Sequence, residues 1–241
     1  MIRSLISFFI ILLGHTIQAQ ETVDDYGALI RSDSNQKIIY LCFTGHDYFE
    51  GFDHVLAVLK ETDSKGNFFL TGDFVRAHPG LVAEIAEAGH LVGAHSDKHL
   101  LYCDWDKRDS LLIQPNEIQQ DISANLSALE KLDISPKIFM PPYEWYNAEV
   151  VKIAAGLGQT TVNFSPGTRS NADYTTPDMK NYISSPDILK SIYSYESSYG
   201  LNGFHLLVHP GTDPKRQDKF YLHLKKLVLE LRGRGYGFGK F

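Results

Sequence analysis

The sequence predicts an α/β fold, an incomplete or distorted parallel (β/α) barrel of about seven strand–helix units. Three observations carry this reading. Short apolar runs of strand length recur along the chain, the first being Lys37-Ile-Ile-Tyr-Leu-Cys-Phe43. Between them lie stretches whose apolar residues fall at helical spacing. The polar, chemistry-bearing residues gather in the loops after the strands, the end on which parallel folds place their sites. A doubly wound open sheet is the alternative arrangement.

Residues 1–19 read as a signal peptide, with Arg3 as a positive start, Leu5 to Leu13 as an apolar core and Ile17-Gln18-Ala19 as a small-residue cleavage site. The apolar run falls short of the ~20 residues that a membrane span requires. With no cysteine following it, a lipoprotein anchor is not indicated, and no integral membrane segment is expected after cleavage. The mature chain is expected to be periplasmic or secreted. Residues 20–36 form a polar lead-in, and 37–241 a single domain.

Within that domain, Gly51 to Asp63 is helical by Val55, Leu56, Val58 and Leu59, and Asn67 to Gly72 is the next strand. Pro79 opens a helix with Leu81, Val82, Ile85 and Ala86 on its buried face, and Gly89 ends it. Leu91 to Ala94 is a buried strand, and Leu100 to Leu112 a long loop rich in charge and aromatics. Gln114 to Leu132 is a helix, Lys137 to Pro142 a strand stopped by two prolines, Asn147 to Gly158 a helix and Thr160 to Phe164 a strand. After a second long loop, Ser165 to Ser185, come a helix from Pro186 to Tyr199, a strand from Gly203 to His209 and a closing helix from Lys219 to Arg234. Tyr236 to Phe241 is an edge-strand candidate.

A chain of 241 residues with 43% hydrophobic and 22% charged residues is globular, and its net charge of −6 excludes the basic face of a nucleic-acid binder. Cys42 and Cys103 can pair or stay free, a choice that the sequence leaves open.

His95 and His99, four residues apart where a strand opens into a loop, suit two positions of a catalytic metal site, which holds its ion with three protein groups and leaves one position open. Ser96 stands where the helical His-Glu-x-x-His motif needs its glutamate, so a metalloprotease is not implied.

Thr44-Gly-His-Asp47, His95-Ser-Asp-Lys-His99, Pro141-Pro-Tyr-Glu-Trp145, the loop from Ser165 through Arg169 to Asp173, and His209-Pro-Gly-Thr-Asp213 follow one another at the strand ends. In this order they resemble the motif series of the polysaccharide deacetylases, which remove acetyl groups from glycans with a divalent metal. The histidine pair and the strand end Leu207-Val208-His209 match. Two motifs depart from the family. Cys42-Phe43-Thr44-Gly45-His46 lies over the family's Thr-Phe-Asp-Asp-Gly, which removes both aspartates, and Met140 replaces the arginine before the prolines.

The resemblance implies a metal-dependent hydrolase of N- or O-linked acetyl groups on a polysaccharide, or, with its aspartates lost, a glycan-binding protein on the same scaffold, or an amidase or esterase of another substrate. Zinc is the default ion, with cobalt or nickel also suited to two histidines and a carboxylate. Asp47 is the expected third ligand, with His46 as its competitor. Glu144 is expected as base or additional ligand, and His209 as the acid, with Asp213 to orient its imidazole. Tyr143, Trp145 and Trp105 are candidate sugar-stacking aromatics, together with Tyr102 and Tyr174. Arg169, Lys215 and Arg216 are candidates for an anionic substituent, the last two fitting solvated surface charge better.

Overall fold

The computed structural model describes residues 19–241, so the expected signal peptide lies, but for Ala19, outside the described residues. Two short strands, β1 (Thr22–Val23) and β2 (Leu29–Arg31), form an antiparallel hairpin. The domain then alternates strand and helix: β3 (Ile38–Gly45), α1 (Phe52–Glu61), β4 (Gly66–Leu70), α2 (Gly72–Ala77), α3 (Pro79–Glu87), β5 (Leu91–Ala94), α4 (Pro115–Glu130), β6 (Ile138–Phe139), α5 (Ala148–Gly156) and β7 (Thr160–Thr161). It ends with α6 (Ser185–Tyr199), β8 (His205–Val208), α7 (Leu224–Gly233) and β9 (Gly237–Phe238). The strand order is β7-β6-β5-β4-β3-β8, all pairings parallel, with β9 beside the start of β3. This is the predicted incomplete barrel, seven parallel strands curled into a half-barrel.

The central strands are buried on both faces, which is why they read as continuous apolar runs. Alternation sorts their side chains. Leu41, Phe43, Phe68, Leu70, Leu206 and Val208 join the main core with the helices, whereas Cys42, Phe69 and Leu207 point the other way into a small cluster with Met140 and Val162. Phe241 plugs this inner cluster, stacking on Tyr40 with ring centroids 5.0 Å apart, while its N–H donates to Asn67 Oδ1. Both cysteines are buried free thiols, Cys42 inside the curve and Cys103 in the main core.

Helix starts are set by side-chain caps. Thr71, Asn147 and Ser184 accept from the first-turn N–H groups of α2, α5 and α6, and the Glu117 carboxylate accepts from the Gln114 N–H ahead of α4 at 2.9 Å. Thr71 thus begins a helix, α2, inside a stretch that periodicity assigned to the strand before it. The expected strands at Lys137–Pro142 and Thr160–Phe164 shrink to two residues each, because prolines stop one and the loop pairing of Asn163 takes over the other.

The lead-in is part of the fold. Leu29 bridges Val162 in parallel and Arg31 bridges Phe204, so β2 spans the gap between the two outer strands, β7 and β8. The Leu29 carbonyl accepts from the Asn163 N–H, and Ser32, just past β2, donates its N–H to the Gly203 carbonyl. Among the described residues no helix is long and apolar enough to cross a membrane.

Candidate active site

A cavity of about 300 Å³ opens at the C-terminal ends of β3, β5, β6 and β8, lined in part by Thr44, His46, His95, His99, Glu144 and His209. Of the expected site residues, the structure brings Asp47, His46, His95, His99, Tyr143, Glu144 and His209 to this one cavity, with Tyr174 on its wall. Trp105, Trp145 and Arg169 are not part of its lining.

The histidine loop is braced from below. The His95 N–H donates to Asn125 Oδ1 on α4, and the Lys98 N–H to Asp121 Oδ1, whose other oxygen accepts from Tyr102. Asp97 pairs with Arg76 on α2 at 2.7 Å. Gly72 lets α2 approach this loop, since a Cβ there would strike the Asp97 carboxylate. Ser96 and His99 adopt left-handed backbone with φ of 67° and 53°, and the imidazoles of His95 and His99 both line the cavity.

A metal ion requires ring nitrogens whose in-plane lone pairs converge. His95 qualifies. Its Nδ1–H donates to the Met140 carbonyl at 2.7 Å, which leaves the Nε2 lone pair available, and burial lowers its pKa to about 3 so that the ring is neutral. Burial, aided by its histidine neighbours, lowers His99 to about 2, and its ring stands at 60° to that of His95 with centroids 5.0 Å apart.

His46 instead stacks on His99 at 4.5 Å with planes only 17° apart, so the two lone pairs lie in near-parallel planes. Asp47 is exposed and faces His46 Nε2 at 3.2 Å. Among the described residues, no group of three or more His, Cys, Asp or Glu is placed to hold a metal. Neither Asp47 nor His46 therefore joins His95 and His99 in a three-residue metal set.

The opposite wall is differently built. His209 donates its backbone N–H to Asp173 Oδ2 at 2.8 Å and its Nδ1–H to Asp173 Oδ1 at 2.6 Å. Burial alone would lower this imidazole, but the Asp173 carboxylate more than offsets it and the pKa is raised. The expected partner, Asp213, accepts the Lys215 N–H in its own turn instead. Asp173 is fully buried. Only tertiary folding joins it to a histidine 36 positions away; the loop motif that ends on it gives it no role of its own.

Glu144 follows the β6 prolines with Tyr143, and both hold positive φ, 52° and 58°. Two such residues in succession are costly for side chains with a Cβ, and strain of this kind gathers at functional sites. The outcome here is a carboxylate aimed into the cavity that accepts no hydrogen bond among the described residues. Burial pushes its pKa up to about 7, with nearby His209 pulling it down and Asp173 pushing it up. It does not cap α5, a role that Asn147 fills.

Tyr143 leans on His99 at 4.4 Å and meets Trp105 edge-on at 5.8 Å, so Trp105 forms an outer rim beyond the cavity. Trp145, expected to stack on sugar, instead packs over Arg108, whose guanidinium lies 4.1 Å from its ring, and donates to the Asp104 carbonyl. Tyr102 is likewise core, donating to Asp121. Arg169 donates to the Asn181 carbonyl. Arg216 is fully buried rather than solvated, tying the carbonyls of Thr175, Ile183 and Asp218 together. Lys215 is exposed beside Asp178.

The chain is 26% identical over 205 residues to a peptidoglycan-N-acetylglucosamine deacetylase of Bacillus cereus, covering 85% of this chain and 86% of that protein. It is 29% identical over 151 residues to the peptidoglycan-N-acetylmuramic acid deacetylase PdaA of Bacillus subtilis, covering 61% of this chain and about half of that protein, 54%. A solved CE4 family pseudoenzyme from Bacillus anthracis superposes with a TM-score of 0.72 at 21% identity, covering 90% of this chain and 68% of that one, a likeness of fold. The sequence profile of the polysaccharide deacetylases matches residues 31–162, more than half of the chain, and the chain therefore belongs to the polysaccharide deacetylase family.

Proposed function

We propose that the chain is an exported hydrolase that removes N- or O-linked acetyl groups from a glycan. The observation that carries this reading is the pairing of Glu144 with the Asp173–His209 dyad across one cavity that also holds the His95–His99 pair. An ion, zinc by default with cobalt or nickel as alternatives, would be held by His95 and His99, and when bound it supplies a Lewis acid for the acetyl carbonyl. The Glu144 carboxylate, poised near neutral pH, takes the proton of the attacking water. His209 keeps Nδ1–H on Asp173 and donates a proton from Nε2 to the leaving nitrogen or oxygen as the bond to the acetyl carbon breaks. Tyr143 and Tyr174, both exposed on the cavity wall, offer faces to the sugar ring.

Support for the substrate class comes from the relatives, one named for N-acetylglucosamine and one for N-acetylmuramic acid in peptidoglycan. Export is supported by the charge and apolar pattern of residues 1–19. The deciding experiment incubates the purified protein with acetylated glycans, with each of the three metals and with chelator. Acetate release that chelator abolishes is the expected result. A second reading, glycan binding without hydrolysis, is favoured by Thr44 and Gly45 standing where the family has its aspartates. Glycan binding with no acetate released under any metal would establish it in place of the first.

A further inference from the structure

Two forces push the Glu144 side chain out of the cavity. Its backbone and that of Tyr143 sit at positive φ, where a Cβ is crowded, and its carboxylate is short of water, which raises its pKa to about 7. Because the carboxylate accepts no hydrogen bond among the described residues, the turn itself must be held. Asn163 holds it, its Nδ2 donating to the Glu144 carbonyl at 3.1 Å and to the Tyr146 hydroxyl at 3.2 Å.

The direction of each bond is set from the far end. As a carboxylate, Asp24 can only accept, so Tyr146 gives it the hydroxyl proton at 2.6 Å and keeps its lone pairs for Asn163. Asn163 Oδ1 takes the Phe164 N–H at 2.8 Å, which assigns the NH2 end of the amide to Tyr146 and Glu144. The Asn163 backbone is pinned as well, its N–H on the Leu29 carbonyl and its carbonyl accepting from His205 Nδ1. Asp24 is fixed in the β1–β2 hairpin, where its other oxygen accepts the Tyr26 and Ala28 N–H groups. Asp24 and Asn163 both lie outside residues 31–162, the stretch that matches the family profile.

We propose that Asp24, Tyr146 and Asn163 form a chain of positioning residues for Glu144, through which the β1–β2 hairpin holds the turn and keeps the carboxylate inside the cavity. The effect on acetate release rests on the reading of Glu144 as the base; the placement of the side chain does not.

The test reads that placement without requiring turnover. Protein isotope-labelled at its glutamate carboxyls is titrated by NMR, with chelator present so that no ion at the histidine pair adds its charge. The Glu144 signal is assigned by its loss in Glu144→Gln. The parent is expected to titrate near pH 7. In Asn163→Ala, and to a smaller extent in Tyr146→Phe and Asp24→Asn, the midpoint is expected to fall by about one pH unit or more, toward the ordinary carboxylate value, as the side chain moves into water. His209 and Asp173, the charged groups that face Glu144, and the Tyr174 phenol remain in all of these variants, so a changed midpoint reports position. Asn147→Ala loosens the same segment by removing the α5 cap but leaves the Glu144 carbonyl bonded, and its midpoint is expected to stay at the parent value.

An unchanged midpoint in Asn163→Ala overturns the proposal, as does an equal fall in Asn147→Ala. Should Asn163→Ala not fold, the two milder variants decide in its place, and a midpoint that stays in both overturns the proposal. Acetate release from an N-acetylglucosamine oligomer is measured on the same proteins with metal, and kcat is expected to fall about tenfold in Asn163→Ala with KM little changed. Midpoints that fall while the parent releases no acetate support the positioning chain and remove the hydrolytic reading alone. Release by the parent with midpoints that stay removes the positioning chain alone.

Discussion

On the β3–β5 side of the mouth, Thr44 and Gly45 stand where the family has two carboxylates, and His46 lies flat on His99. On the β6–β8 side, Glu144 projects from a position of positive φ, and Asp173 grips His209 through two hydrogen bonds. One wall carries a neutral imidazole pair with the exposed Asp47; the other carries Glu144 and, behind His209, the buried Asp173. On the proposed reading, proton transfer falls to the second wall and the Lewis-acid role to the first. Because the two walls are built from different strands, they can be perturbed one at a time.

The largest effect is expected from the β6–β8 wall. Asp173→Asn leaves a neutral amide beside His209 and frees its tautomer, and acetate release is expected to fall about a thousandfold, measured as kcat with metal saturating. A residual rate near that of the unaltered protein would mean the dyad is only structural.

Glu144→Gln is expected to lower kcat about a hundredfold while changing stability in the opposite direction. The Glu144 pKa in the folded protein is about 7, above the ordinary carboxylate value, so the carboxyl imposes no penalty while it is neutral at low pH. Its penalty grows as pH rises toward 7 and is complete above it, reaching up to about 3 kcal/mol. The variant should therefore resist urea better than the parent at pH 9 and nearly equally at pH 4, below the unfolded carboxyl pKa. A stability difference that ignores pH would sink the buried-carboxylate account.

The β3–β5 wall predicts a contrast among histidines. Zinc affinity by calorimetry should drop more than about a hundredfold in His95→Ala or His99→Ala, beyond what loss of an outer-shell partner costs. In His46→Ala it should hold within about threefold, because a stacked ring contributes no converging lone pair. A His46→Ala loss as large as the others would show that His46 swings in as the third ligand.

Gly72→Ala presses a methyl group on Asp97 and should cost about 1–3 kcal/mol, with metal affinity falling and the pH profile set by the other wall unchanged. The smallest effect belongs to Asn147→Ala, which removes the α5 cap behind Glu144 and should cost about 1 kcal/mol in thermal or urea unfolding.

The parts of this site that were legible in the sequence are those whose signal is local. His95, His99 and His209 end strands within short motifs, and the barrel showed in the alternation of apolar runs with helical spacing. The role of Asp173, though it ends a motif loop, was illegible because its partner lies 36 residues away and Asp213 offered a nearer carboxylate. Trp145 and Arg216 misled for a common reason. Loop position suggested exposure, but Arg108 claims the one and three carbonyls claim the other. The hairpin of β1 and β2 escaped notice because strands of two and three polar-flanked residues carry no periodicity to detect.

That hairpin also sets an order of events. It is the first ordered piece of the described chain, yet its partners arrive late: Tyr146 donates to Asp24 across 122 positions, and Arg31 reaches Asn202 across 171. Contacts so far apart in sequence must overcome loop-closure entropy, as must the pairing of β3 with β8, whereas β4 pairs with its near neighbours β3 and β5. Closure of the sheet by β2 is therefore expected late in folding. Since it docks against Tyr146, two residues from Glu144, the wall that holds Glu144 is expected to mature after the wall that holds His95 and His99. Refolding monitored at Tyr146 and at His95 should show two rates, with the slower one belonging to the acidic wall.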